Sequence, residues 1–173
     1  MKKSILIMFL LFAAGITAQA QKFALIDTEY ILKNIPAYQN ATEQLNQATK
    51  QWQDEVEKLS KEAKSLFDSY QAAIKTLSDA QKAKREEEIV AKEKSAAELR
   101  RKYFGPEGEL FKKREELMQP IQDAIYDAVK EIAVQEGYAV VVDRATASSI
   151  IFASPSIDIS NEAVSYTHLT LPT

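Results

Sequence analysis

The sequence predicts a mostly helical α+β fold in which a long antiparallel helical hairpin projects from a small β-containing body. Two observations carry this. From Tyr38 to Leu77 apolar residues recur at steps of three and four, at Tyr38, Ala41, Leu45, Ala48, Trp52, Val56, Leu59, Ala63, Leu66, Tyr70, Ile74 and Leu77, with no glycine or proline between them. The mean step of about 3.5 residues is a coiled-coil period, and such a helix would be roughly 60 Å long. The second observation is that short β-prone runs flank the helical region, Phe23-Ala24-Leu25-Ile26 before it and Tyr138-Ala139-Val140-Val141-Val142 after it, each closed by an aspartate.

Residues 1–20 stand apart from the fold. Lys2 and Lys3, the apolar run Ile5 to Phe12 and Ala18-Gln19-Ala20 read as a secretory signal peptide cleaved after Ala20. The run is too short for the roughly 20 residues of a membrane span. A brief helix is expected over Thr28 to Asn34, and Pro36 suits the first turn of the arm because its missing N–H needs no partner there. Residues 22–35 and 137–164 form the expected body, and residues 36–136 the arm. The outward helix should end near Lys75 to Ser78, where Ser78-Asp79-Ala80-Gln81 has the form of a capping box.

The returning arm shows apolar positions at Ala80, Ala83, Val90 and Ala97, then a break at Gly105-Pro106-Glu107-Gly108. Leu110, Phe111, Leu117, Ile121, Ile125, Val129 and Ile132 follow as an amphipathic helix that ends at Gly137. A third strand is expected at Ser149-Ile150-Ile151-Phe152. Three strands of this length make no stable sheet alone, so the helix bases or other subunits must cover them, and oligomerisation is a physical expectation. Phe23, Leu25, Ile26, Val140, Val142, Ile150 and Phe152 are the expected body and oligomer core. Residues 165–173 break from the preceding pattern and read as a non-native tail; the single histidine, His168, lies there, so no site is built on it.

The chain has no cysteine, which removes disulfides, thiolate nucleophiles and sulfur ligands. Beyond residue 20 it carries 20 basic and 25 acidic residues, a formal charge of −5. Lys50 to Lys102 is nevertheless +2, and Lys75, Lys82, Lys84 and Arg85 cluster at the expected tip near residues 75–80 against Asp79 alone. Runs such as Lys84 to Glu88 and Lys112 to Glu116 read as solvated helix faces with paired charges rather than as acid/base or cation sites. No phosphate-cradling glycine loop and no nucleophile motif is present, so neither an enzyme nor a cofactor is expected. Export and the acidic balance disfavour nucleic acid.

Read in order, the leader followed by FALID, the charged hairpin, YAVVVD, and SIIFA followed by Ile157-Asp158-Ile159-Ser160 with Glu162 resemble the Skp (OmpH) family of periplasmic chaperones. The resemblance covers residues 22–164. It implies a homotrimer whose short strands assemble a central body, with three hairpins extending around a cavity. It also implies a periplasmic, ATP-independent holdase for unfolded outer-membrane β-barrel proteins. Family members are often strongly basic, whereas this chain is acidic, so a binding mode built on global positive charge does not carry over with the resemblance, and contact with lipopolysaccharide stays open. The basic tip keeps contact with anionic membrane or acidic clients in view. On the arm, Trp52, Leu66, Phe67, Tyr70 and Ile74 are either client contacts or seam residues. Trp52 and Tyr70 fall on the seam, and Phe67 lies one step off it. The rival reading is a periplasmic coiled-coil adaptor that binds one specific partner.

Overall fold

The computed structural model describes residues 21–147 and 149–170; the expected signal peptide and residues 171–173 lie outside them. In chain order the elements are β1 (Lys22–Ile26), α1 (Thr28–Lys33), α2 (Pro36–Ala73), α3 (Asp79–Phe104), α4 (Glu109–Glu136), β2 (Tyr138–Asp143), a 3-10 turn (Pro155–Ile157) and α5 (Ser160–Thr170). The architecture is a helical hairpin on a two-stranded sheet. α2 runs out, and α3 and α4 return along it.

Local chemistry sets each boundary. Asp27 caps α1 by accepting from Tyr30 N–H at 2.9 Å. Pro36 occupies the first turn of α2. At the tip, Ser78 N–H donates to Gln81 Oε1 at 2.9 Å while Ser78 Oγ accepts from Gln81 N–H at 3.4 Å, a capping box that starts α3. α3 stops at Gly105, where a Cβ would lie 2.4 Å from the Arg101 carbonyl oxygen. Gly137 ends α4 in the left-handed region at φ 73°, a conformation that costs a residue with a Cβ about 1–2 kcal/mol.

The strands are parallel, with Phe23 opposite Val140, Leu25 opposite Val142 and Ile26 opposite Asp143. A parallel pair needs a crossover, and here the whole hairpin is that crossover. One face of the sheet is covered: Ala24 and Ile26 pack with Ile31, Ile35, Ala41, Ile121, Ile125, Ile132, Ile159 and Ala163 in a core that joins the sheet to the arm's base and to α5.

Two expectations need correction. Ser149 to Phe152 forms no strand; Ile151 is 100% and Phe152 84% exposed, and Ile150 is half-buried. A segment apolar on both faces needs cover on both, and the described residues cover only part of Ile150. The chain instead meets β1 at Asp158, where Ile159 N–H donates to Leu25 O at 2.9 Å. Phe23 and Val140, expected in the body or oligomer core, are 51% and 46% exposed in the single chain. On α3 the buried residues are Ile89 and Ala96, not Ala80, Ala83, Val90 and Ala97, all of which are exposed. The inward stripe includes the half-buried Lys82, Lys92, Leu99 and Tyr103, so a purely apolar pattern misplaces the face by one residue.

Residues 165–170 continue α5. The Tyr166 hydroxyl donates to Gln135 Oε1 at 3.1 Å, Thr167 is buried, and His168 Nε2 sits 2.9 Å from Asn34 O.

Ile125 joins arm to sheet, so Ile125→Ala should lower stability by about 2–5 kcal/mol. Lys58→Ala, on an exposed arm face, should change it by less than about 0.5 kcal/mol. Urea titration followed by circular dichroism tests the contrast, and equal effects would refute the assignment of the core.

Candidate functional site

The arm is the candidate working surface, and its seam decides which side chains remain available. On α2, Ala41, Val56, Ala63 and Tyr70 are buried, while Leu45, Ala48, Trp52, Leu59, Leu66 and Ile74 are half-buried. Ala63 and Ala96 are the small residues of the α2–α3 seam, both buried. Polar rungs tie the helices together. The Tyr70 hydroxyl donates to Glu86, the Tyr103 hydroxyl donates to Glu55 Oε2 at 2.5 Å, and Lys92 Nζ donates to Glu62 Oε2 at 2.9 Å. These bonds to the carboxylates raise the pKa of both phenols, and the Lys92 bond lowers that of Glu62. Trp52 stacks on Tyr103 at 5.2 Å between ring centroids.

The five aromatic and aliphatic candidates on the arm therefore separate. Tyr70 is buried in the seam, Trp52 leans on Tyr103, and Leu66 and Ile74 are half-buried along it. Phe67 is 45% exposed. At the tip Lys75, Lys84 and Arg85 are exposed, whereas Lys82 is half-buried with its ammonium 3.3 Å from Asp79. Ile74 to Thr76 form the turn, so α2 ends before Leu77.

Sequence reasoning missed a polar cluster at the base. Arg144 reaches Asp27 Oδ2 through Nε at 3.2 Å and Asp158 Oδ2 through NH1 at 2.9 Å. Ser160 Oγ donates to Asp158 Oδ1 at 2.6 Å and accepts from Asp27 N–H at 2.9 Å. Asp143 accepts from Thr28 Oγ1 at 2.7 Å and from the N–H groups of Thr28 and Ala145. Burial opposes ionisation of Asp143, but the hydrogen bonds from Thr28, Ala145 and Thr146 outweigh it and hold the carboxyl below its ordinary value. Asp158 is shifted the same way: burial is outweighed by Ser160 and by the Arg144 charge. The only sequence signal was that each of these segments carries an aspartate at its end. Among the described residues no group of His, Cys, Asp and Glu is arranged to hold a metal ion.

The family described as Outer membrane protein (OmpH-like) matches residues 22–166. This chain belongs to the OmpH-like family. Similar proteins include the chaperone protein Skp of Photorhabdus luminescens, 29% identical over 139 residues, covering 78% of this chain and 79% of that one. Skp of Yersinia enterocolitica is 24% identical over 152 residues, covering 88% and 89%. A crystal structure of an OmpH-like outer membrane chaperone from Caulobacter crescentus superposes with a TM-score of 0.75 over 89% of this chain and 88% of that one, at 11% identity. The OmpH-like fold, a long helical hairpin on a small sheet, is thus shared at a level where few residues are.

Two outcomes follow from the rungs and the base cluster. A carboxylate whose folded pKa is depressed stabilises the fold above its unfolded value and loses that contribution as the pH falls. Stability should therefore hold above about pH 5, then decline as the pH drops through and below the ordinary aspartate value of 3.8. Asp143→Asn should lower the plateau and flatten the decline, as read from urea midpoints across pH. In the arm, Glu62→Lys or Lys92→Glu alone should lower the thermal midpoint, and the double swap should recover most of it. A double variant no better than the sum of the singles would deny the rung a pairwise role.

Proposed function

We propose that this OmpH-like chain is an ATP-independent periplasmic holdase that shelters unfolded outer-membrane β-barrel proteins between helical arms. The observation that carries the reading is the arm itself: a 38-residue outward helix, about 57 Å long, paired with a return helix through a narrow seam. Its exposed surface offers scattered apolar groups such as Phe67 at 45%, Val90 at 61% and Phe111 at 48% among charges. Such a surface suits many weak contacts that add through multivalency, and no catalytic step is needed. The chaperone names of the Skp relatives fit this reading and not a single-partner adaptor.

A cavity between arms requires several copies, and the base offers a means. Beside β2, Ile26, Leu32, Ile125, Val129 and Val141 line an open trough of about 620 Å³. Phe23, Val140, Ile151 and Phe152 stand exposed near the same small sheet. A homotrimer would bury these groups and let the 149–152 segment of one copy add to the sheet of the next, satisfying an open strand edge. At the tip, the exposed Lys75, Lys84 and Arg85 support contact with acidic clients or with anionic membrane, lipopolysaccharide included.

Dilution of a urea-unfolded outer-membrane β-barrel into buffer should scatter light strongly alone. Scattering should be suppressed by the protein, saturating near three chains per client; undiminished scattering from a folded oligomer would reject the holdase. Lys84→Glu with Arg85→Glu should leave helicity intact and weaken client or vesicle contact at low salt, because exposed charges act through screened fields.

A further inference from the structure

The two flanks of the arm's seam differ. On one, the Glu62–Lys92 pair bridges α2 and α3 at 2.9 Å beside the half-buried Leu66 and Leu99. On the other, the seam residues are the alanines Ala63 and Ala96, too small to fill the space between the helices, and an open trough of about 360 Å³ remains. Phe67 and the exposed Ala97 form its apolar rim, with Lys64 and Arg100 at its edges and Glu93 as the one acid in its lining. Val90 lies three and seven residues before Glu93 and Ala97, on the same stripe of α3, and extends the apolar rim toward the tip.

Charge separates this flank from the side of α2 turned away from α3. There Lys61 pairs with Glu57 at 2.6 Å and Lys50 with Asp54 at 3.0 Å, and Lys58, which forms no ion pair with any described residue, stands among Asp54, Glu57 and Glu62, so each cation has acids beside it. Lys64 and Arg100 form no ion pair with any described residue. Exposed cations without partners beside an exposed aromatic ring are complementary to a chain that presents apolar and acidic groups together.

We propose that the trough formed by Ala63, Lys64, Phe67, Ala97 and Arg100, continued by Val90, is the arm's docking surface for an extended segment of unfolded protein whose side chains alternate between apolar and acidic. The inference rests on the holdase reading and assigns it a side: clients meet one flank of each arm and not its charged back. Apolar side chains of the segment enter over Phe67 and the alanine floor, and its carboxylates meet Lys64 and Arg100. A segment with basic residues in the same places would be repelled by both cations.

The test uses protein expressed from its full sequence, with a fluorescently labelled, urea-unfolded outer-membrane β-barrel as client. Two unstructured 12-residue peptides serve as competitors, one alternating leucine with aspartate and one leucine with lysine. Phe67→Ala, and separately Lys64→Glu with Arg100→Glu, should each weaken client binding about tenfold, the loss of one well-placed contact group. Lys58→Glu with Lys61→Glu, on the far side of α2, should stay within about twofold, and the aspartate peptide should compete at lower concentration than the lysine peptide. Equal losses from both charge reversals, or unchanged binding by Phe67→Ala, would overturn the docking surface while leaving the holdase intact. Failure of the unmodified protein to hold the client would overturn both. Circular dichroism identifies any variant that loses helix, and Phe67→Leu, which keeps an apolar group there, should then bind within about threefold of the unmodified protein; a tenfold loss with Phe67→Leu would also count against the proposal.

Discussion

Arg144 bridging Asp27 and Asp158 is the interaction on which the rest of the molecule depends. β1 comes from a part of the chain distant from β2 and the segment before α5, and each of the three brings an aspartate to the same corner. Left alone, three carboxylates so close would repel. One guanidinium, the hydroxyls of Thr28 and Ser160 and several backbone N–H groups satisfy them instead. Such hydrogen bonds to charged groups are stronger than neutral ones. They tie together the points where the chain leaves the base and where it returns, beside the apolar core that packs the arm's base on the sheet.

The arm follows a different logic. A coiled-coil seam filled with leucine and isoleucine would be more stable, but it would slide more easily between registers and invite association with other helices. Here several seam positions are alanines, and Tyr70–Glu86, Tyr103–Glu55 and Lys92–Glu62 hold the register. Polar groups at seam positions are best attested as devices for register. On the holdase reading proposed above, a surface that touches many partners weakly needs this restraint, because large exposed apolar patches drive aggregation.

Much of this was legible in the sequence. The 3.5-residue period on α2 marks its seam residue by residue, and the Ser78 box, Gly105 and Gly137 mark boundaries by local hydrogen bonding and backbone geometry. The α3 face was not legible from apolar pattern alone. Its inward positions include Lys82 and Lys92, whose methylene stems pack while their charges reach acids, whereas Val90 and Ala97 look outward. The run Ser149 to Phe152 has strand chemistry but no neighbour in its own chain. The clustering of Asp27, Asp143 and Asp158 was hidden for another reason: it depends on strand order and on a crossover more than a hundred residues long, which no local pattern encodes. The trough beside Phe67 was invisible because it arises from two alanines on different helices facing each other.

The placement of the arm between β1 and β2 also governs the order in which the molecule can form. The 111 residues from Asp27 to Gly137 separate the strands, and closing a flexible loop of that length costs about 4 kcal/mol in chain entropy. Zipping α2 against α3 and α4 shortens the effective distance before the strands meet, which favours a hairpin that forms before the sheet. As the chain emerges from its amino end, Leu25 and Ile26 wait uncovered until Val141 and Ile159 arrive. The chain therefore passes through an interval in which its own first strand is uncovered, and the speed of the hairpin determines how long that interval lasts.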